Sequence, residues 1–351
     1  MDEEIEIHTG SAAANPDTPL RQAFRGERPD TIPVWFLGQS YLHTPENWAD
    51  LSLSEQNAFA LNPNYVIPDA LAPVEQWDVD AAVCFSDVLL PLQLMGIDLR
   101  TGLGEDGEKI MPLRSPSRVD QLVNRPFPDW TAVEQIVREA RAALAPDKVL
   151  IAFGAAPFVV ASLLVEGIVD PGQHLQTRVF MQSQPRCWDE LIRWASNLLK
   201  GFLTAQVRGG AEAVQMVDPW VRVLTEGEYA CMAEPYARGI FEDFGDITKI
   251  SCNLGADQLL EIIAPYVDVL GIGDNITLED AARLAPGKVL QGNLDTDYLY
   301  ADRDTLRGVV DEVLRAGRAA PSHVFNCSGG LPRDVEPDDM RWVVDYVHNA
   351  H

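Results

Sequence analysis

Short apolar runs rich in β-branched residues recur along the chain, each closing on or followed by a small or polar residue. They are IPVWFL at 32–37, AAVCF at 81–85, KVLIAF at 148–153, EAVQMV at 212–217, ITKIS at 247–251, VDVLGI at 267–272, KVLQG at 288–292 and HVFN at 323–326. The stretches between them carry helical spacing. In 303–317, Leu306, Val309, Val310, Val313 and Leu314 fall at i, i+3, i+4, i+7 and i+8, one buried face of a helix. Strands that alternate with helices pair in parallel through right-handed crossovers, and eight such units close into an α/β (β/α)8 TIM barrel. An open doubly wound sheet is the alternative with the same elements, but no glycine-rich dinucleotide loop follows the first run.

Size and composition narrow this further. A chain of 351 residues with 46% hydrophobic content buries a large core, and one barrel or two domains fit that length. The expectation is a flexible acidic extension over residues 1–17 and one barrel over 18–351. No apolar run reaches the roughly 18 residues of a membrane span, and MDEEIEIHTGSAAANPDTPL is acidic where a signal peptide is basic and then apolar. A cytoplasmic location is expected. The five cysteines are odd in number, scattered and without a CxxC pair, which reads as reduced thiols rather than a disulfide framework. A net charge of −26 argues against nucleic acid and anionic membrane as partners, because both need clustered cations. A small anion is still compatible, since exposed charge is screened over roughly 8 Å and local arginines decide.

In such a barrel the chemistry sits at the C-terminal ends of the strands, so the residues after each run are the ones to read. Here they are Gly38 and Gln39, Ser86 and Asp87 after Phe85, Gly154 after Phe153, Asp218, Ser251 to Asn253, Asp274 and Asn275, Asn293 and Asp295, and Asn326 to Gly330. Asp87 is the most informative. It is followed by the apolar VLLPLQLMG, which predicts a carboxylate among apolar neighbours, hydrogen-bonded or with a raised pKa; a helix N-cap is the structural alternative. In the segment PVWFLGQSYLHTPENW (33–48), Gln39 and Tyr41 offer an amide and a phenol to a ligand, and His43 is a candidate general acid or base. Arg222, four residues past Asp218, is a candidate carboxylate anchor. Phe85, Ser86, Phe153, Gly154, Asp218, Asn253, Asp274 and Asn326 complete the expected lining.

Seven segments, PVWFLGQSYLHTPE, VDAAVCFSDVLLPLQLMGIDL, PLRSPSRVDQL, IAFGAAPFVVASLLVEG, GGAEAVQMVDPW, VLQGNLD and HVFNCSGGL, resemble the uroporphyrinogen decarboxylase family in order and spacing, from about Pro19 to the C-terminus. The resemblance implies a single (β/α)8 barrel, generally a homodimer, acting on a small-molecule substrate without metal or organic cofactor. It also implies a chemistry: protonation of an electron-rich pyrrole carbon and loss of carbon dioxide from an acetate arm. One aspartate binds the pyrrole NH groups and stabilises the cation, and Asp87 matches it.

Other positions depart from the family pattern. Gly38 and Leu42 stand where two arginines hold the substrate's carboxylates, Leu163 where a tyrosine is expected, Pro219 where a serine is, and Gly329 where a histidine is. Each lost charge-assisted hydrogen bond removes roughly 1.5 to 3 kcal/mol, so the expected substrate is smaller or less anionic and (hetero)aromatic. Three alternatives stay open: uroporphyrinogen decarboxylation itself; methyl transfer, as in a cobalamin-dependent branch resembling this one; and a barrel that only binds a small molecule or tetrapyrrole. The methyltransferase branch binds zinc through HxC and a further cysteine, and Ser251, Asn253 and Gly329 occupy those positions, with Cys252 and Cys327 each displaced.

Overall fold

A computed structural model describes residues 16–40, 51–100, 102–104, 111–167 and 172–350. Its strands are β1 (Ala81–Val83), β2 (Ile97–Asp98), β3 (Leu103–Gly104), β4 (Val149–Ala155), β5 (Ala213–Val217), β6 (Thr248–Cys252), β7 (Val269–Gly271), β8 (Val289–Gln291) and β9 (His323–Val324). Seven of them form one sheet in the order β1-β4-β5-β6-β7-β8-β9, every pair parallel; β2 and β3 form a separate antiparallel pair.

The first predicted run, 32–37, is not a full strand, and it closes the barrel all the same. Val34 bridges Phe325 in parallel, with Phe325 N–H donating to Pro33 O at 2.8 Å and Trp35 N–H to Phe325 O at 3.3 Å. On its other side Asp80 N–H donates to Val34 O at 2.7 Å, just before β1. Pro33 has no N–H to extend the ladder. The N–H of Val34 is taken by the Asp80 side chain at 2.7 Å, so the pairing stays short. Asp80 also bonds His348 at 2.9 Å, which ties the last helix, Pro337–His348, to the N-terminal rim of the barrel.

The helical face expected over 303–317 is a helix over Arg303–Gly317, with Leu306, Val310, Val313 and Leu314 buried and Val309 half-buried. Asp302 caps it by accepting from the N–H groups of Asp304 and Thr305. Each such side chain withdrawn from water contributes roughly 1.5 to 3 kcal/mol. The longest helix, Pro185–Gly209, lies against Thr131–Ala143 so closely that a β-carbon on Gly209 would come within 2.6 Å of Val137. Of residues 1–17, only Pro16 and Asp17 are described, and Arg21 and Arg25 hold them through the Pro16 carbonyl and the Asp17 carboxylate.

Candidate functional site

The strands' C-terminal ends gather the expected residues at one rim, and the structure sorts them. Asp87 lies in the loop after β1, with 28% of its side chain exposed. Its Oδ1 accepts from the N–H of Leu89 at 2.9 Å and from Nη2 of Arg100 at 2.7 Å. The apolar surroundings expected for it are not there. Leu89, Leu90 and Leu92 turn into the core around the short helix Leu90–Leu94 and leave the carboxylate on the loop beside an arginine. Arg100 follows β2, and its backbone N–H is held by Asp98 Oδ1 at 2.9 Å. Sequence reading missed it because 13 residues, including the helix Leu90–Leu94, separate it from Asp87.

In the first loop Gly38 adopts φ +78°, a conformation open to glycine. Gln39 is not a ligand-binding group as expected: its Oε1 accepts from Phe36 N–H at 2.9 Å and its Nε2 donates to Ala81 O at 2.8 Å, so both amide ends staple the first segment to β1. Ser40 reaches Ser86 at 3.4 Å. Tyr41 and His43 lie outside the described residues.

Three aromatic and small positions separate by face. Phe85 points away from the barrel axis and packs on Phe202 of helix Pro185–Gly209, ring centroids 5.8 Å apart, which removes it from the lining. Gly154 also faces outward, since a β-carbon there would meet Leu203 at 3.2 Å; the β-strand's twofold alternation explains the error. Phe153 alternates with Gly154, is buried in the main core, and keeps its place on the inner face. Its N–H and C=O are capped by the amide of Gln206 at 3.0 Å each, because β1 has ended before it could pair with them.

Asp218 follows β5 and is 3% exposed, with Oδ1 unpartnered. Burial pushes its carboxyl well above the usual carboxylate range, and a bond from the backbone of Val221 opposes the shift. Asn253 is turned onto Ser251, whose hydroxyl donates to its Oδ1 at 2.5 Å and so occupies the oxygen end of the amide. Asp274 is exposed and lines an outer cleft of about 580 Å³ with Asn293, Asp295, Tyr298 and residues of helix Arg303–Gly317, away from the barrel axis where it was expected. Arg222 is exposed, donates to Pro219 O at 2.9 Å, and sits over Gly255 on the β6 loop.

Asn326, after β9, is 1% exposed. Its Oδ1 accepts from Leu37 N–H at 2.9 Å and from Cys327 N–H at 2.8 Å, and its Nδ2 is unpartnered. Deeper in the barrel runs a relay that the sequence reading did not single out. Trp35 Nε1–H donates to Gln291 Oε1 at 3.0 Å, and Gln291 Nε2–H donates to Gln215 Oε1 at 3.0 Å.

The two displaced thiols are neutral. Burial pushes Cys252 and Cys327 up to about 12, so neither is a thiolate at physiological pH. Among the described residues no group of three or more His, Cys, Asp or Glu side chains could hold a metal ion. Nor is any described helix long and apolar enough to cross a membrane.

The rim thus presents an exposed carboxylate paired with an arginine on one side and buried, uncharged amides within. Comparison with known proteins agrees with the fold. The uroporphyrinogen decarboxylase (URO-D) family model matches residues 15–350. Uroporphyrinogen decarboxylase of Streptomyces avermitilis is 33% identical over 348 residues, covering 97% of this chain and 96% of that one. The enzyme of the same name from Arthrobacter sp. is 35% identical over 345 residues, covering 95% and 97%. A solved methyltransferase from Methanosarcina mazei superposes with a TM-score of 0.72 at 14% identity over 94% of this chain and 97% of that one, a likeness of fold alone. With its barrel closed through Val34 and its sequence matched from end to end of the described core, this chain belongs to the uroporphyrinogen decarboxylase family.

Proposed function

We propose that the chain is a carboxy-lyase that removes carbon dioxide from a carboxymethyl arm on an electron-rich pyrrole-type ring. The overall change is R–CH2–COO⁻ + H⁺ → R–CH3 + CO2, and it passes through a ring protonated at carbon. The observation that carries this reading is Asp87 at the end of β1, with its carboxylate partly exposed and bound through Oδ1 alone among the described contacts. An acceptor-only group fits ring N–H donors and opposes developing positive charge, a contribution of several kcal/mol where water is excluded. The names of the full-length relatives support uroporphyrinogen as the first substrate to test.

A second reading is a smaller, less anionic heteroaromatic substrate, and the first loop favours it. Gly38 puts no cation where the family resemblance implies an arginine, and Leu163 is fully buried in the helix Pro157–Glu166. Arg100, 2.7 Å from Asp87, is then a cation at the ring end of the site rather than a substitute for the missing clamp. For methyl transfer through zinc, no group of three or more His, Cys, Asp or Glu side chains among the described residues offers a ligand set.

The test is anaerobic incubation with uroporphyrinogen and, separately, with pyrrole-3-acetate, following carbon dioxide release. Release from uroporphyrinogen supports the first reading, and release from the monopyrrole alone supports the second. Tight binding of either with no release from both would overturn the enzyme assignment in favour of a binding barrel.

A further inference from the structure

Two buried side-chain amides in the barrel each have their nitrogen unpartnered, Gln215 Nε2 and Asn326 Nδ2. Gln215 is 0% exposed and Asn326 1%. Leaving a buried donor unsatisfied costs roughly 1 to 3 kcal/mol, so two of them in one barrel ask for a reason.

Both face inward. Gln215 on β5 and Gln291 on β8 are separated by β6 and β7 in the sheet, so their side chains can meet at 3.0 Å only across the interior. Trp35 reaches the same Gln291 from the closing segment, beyond β9. Gln291 pairs in register with Val324, and Asn326, two residues further towards the C-terminal end, shares that inner face.

The orientation of each amide follows from its neighbours' chemistry. An indole nitrogen can only donate, so Gln291 must present its oxygen to Trp35 and its NH2 to Gln215. Gln215 must therefore accept with its oxygen, which leaves its NH2 as the open end. In Asn326 the oxygen is occupied by two backbone N–H groups, of Leu37 and Cys327, and again only the NH2 remains. Neither amide can flip without placing donor against donor.

We propose that Gln215 and Asn326 form a donor-only subsite on the inner wall of the barrel that binds a carboxylate oxygen of the ligand, with Trp35 and Gln291 as positioning residues. This rests on the reading that the barrel takes a carboxylated heteroaromatic molecule, and it adds how that molecule is oriented. Asp87, an acceptor only, receives ring N–H groups at the β1 side, while the two amides receive the acid arm at the β5 and β9 sides. Uncharged donors hold a carboxylate less tightly than an arginine would, which suits a group about to leave as neutral carbon dioxide.

Two probes test this by binding, without any turnover: pyrrole-3-acetate and 3-ethylpyrrole, which has the same ring and no acceptor. Calorimetry on the wild-type protein should show the acetate binding at least tenfold more tightly. Gln215→Met should remove about tenfold of acetate affinity and leave 3-ethylpyrrole unchanged. Trp35→Phe, which frees the relay to invert, should cost the acetate several-fold with the same selectivity. Should Gln215→Met not fold, Asn326→Asp keeps the acceptor used by the Leu37 and Cys327 N–H groups, removes the second donor, and should lower acetate affinity by about tenfold. Equal affinity of the wild type for both probes, binding of neither, or unchanged acetate selectivity in the folded variants would overturn the proposal. A carboxylate preference that depends on Gln215 in a protein without decarboxylase activity would instead leave the subsite standing and remove the reaction.

Discussion

Nη2 of Arg100 donates to Oδ1 of Asp87 at 2.7 Å, so the carboxylate expected to face a cation already faces one. A guanidinium and a cationic ring compete for the same charge. Two residues 13 positions apart thus share one carboxylate oxygen, and a ring N–H donor would have to bind beside that contact or replace it.

Asp87→Asn keeps the size and much of the hydrogen bonding of the side chain and removes its charge. Turnover is expected to fall by roughly 10² or more with ligand affinity changed modestly, as measured by steady-state kinetics beside calorimetry. An unchanged kcat would make Asp87 a turn-forming residue for Leu89 and nothing more.

Arg100→Gln should raise KM for a polycarboxylated substrate such as uroporphyrinogen, whose other carboxylates can reach this arginine, by about threefold to tenfold. The full strength of a charge-assisted bond is not expected, because about a third of the Arg100 side chain is exposed and screened by solvent. Arg100→Lys should recover part of the loss. If KM for the acid does not move while Asp87→Asn still abolishes turnover, Arg100 is a surface partner only.

His323 makes stability depend on pH. Its Nε2–H donates to Gly292 O at 2.5 Å, its Nδ1 is buried without a partner, and burial lowers its pKa from 6.5 to about 4. The unfolded chain binds the proton first as pH falls, so stability present above pH 6.5 is lost progressively down to about pH 4. The loss amounts to about 3 kcal/mol. Urea melts at several pH values should show this slope, and His323→Gln should flatten it; an equal slope in both proteins would assign the acid sensitivity elsewhere.

Asp218 works in the opposite direction. Its folded-state pKa is raised by burial, so the contribution is complete below the ordinary carboxylate pKa and is lost as pH climbs towards the folded value. Asp218→Asn carries no such dependence. The variant should gain in Tm relative to the wild type as pH rises from 4 to 8, and a gap that stays constant or narrows over that range would show the carboxyl to be ionised in the folded protein.

The barrel was legible in the sequence because strands buried on both faces are written as continuous apolar runs and the helices between them as periodic ones. Seven of the eight runs are strands of one parallel sheet. The remaining run, 32–37, was expected as a strand and instead forms an isolated bridge, since Pro33 and the Asp80 side chain divert its hydrogen bonds. Position along the runs was enough to place Asp87, Asp218 and Asn326 after the C-terminal ends of β1, β5 and β9.

What the sequence by itself determined was the alternation of elements, the family and the strand ends at which chemistry is possible. Only the tertiary structure decided which side chains are free to act there. Gln39 is consumed, and the oxygen of Asn253 occupied, by neighbours that local pattern does not reveal, and Phe85 and Gly154 turn outward because a pleated strand alternates faces within one apolar run. Arg100 comes beside Asp87 only once the chain has turned through the helix Leu90–Leu94, and Gln215 meets Gln291 only when the sheet closes, bringing residues 76 positions apart to 3.0 Å. Hydrogen bonds of that kind depend on distance in space and on which atom can donate, and neither quantity is carried by the order of residues along a chain.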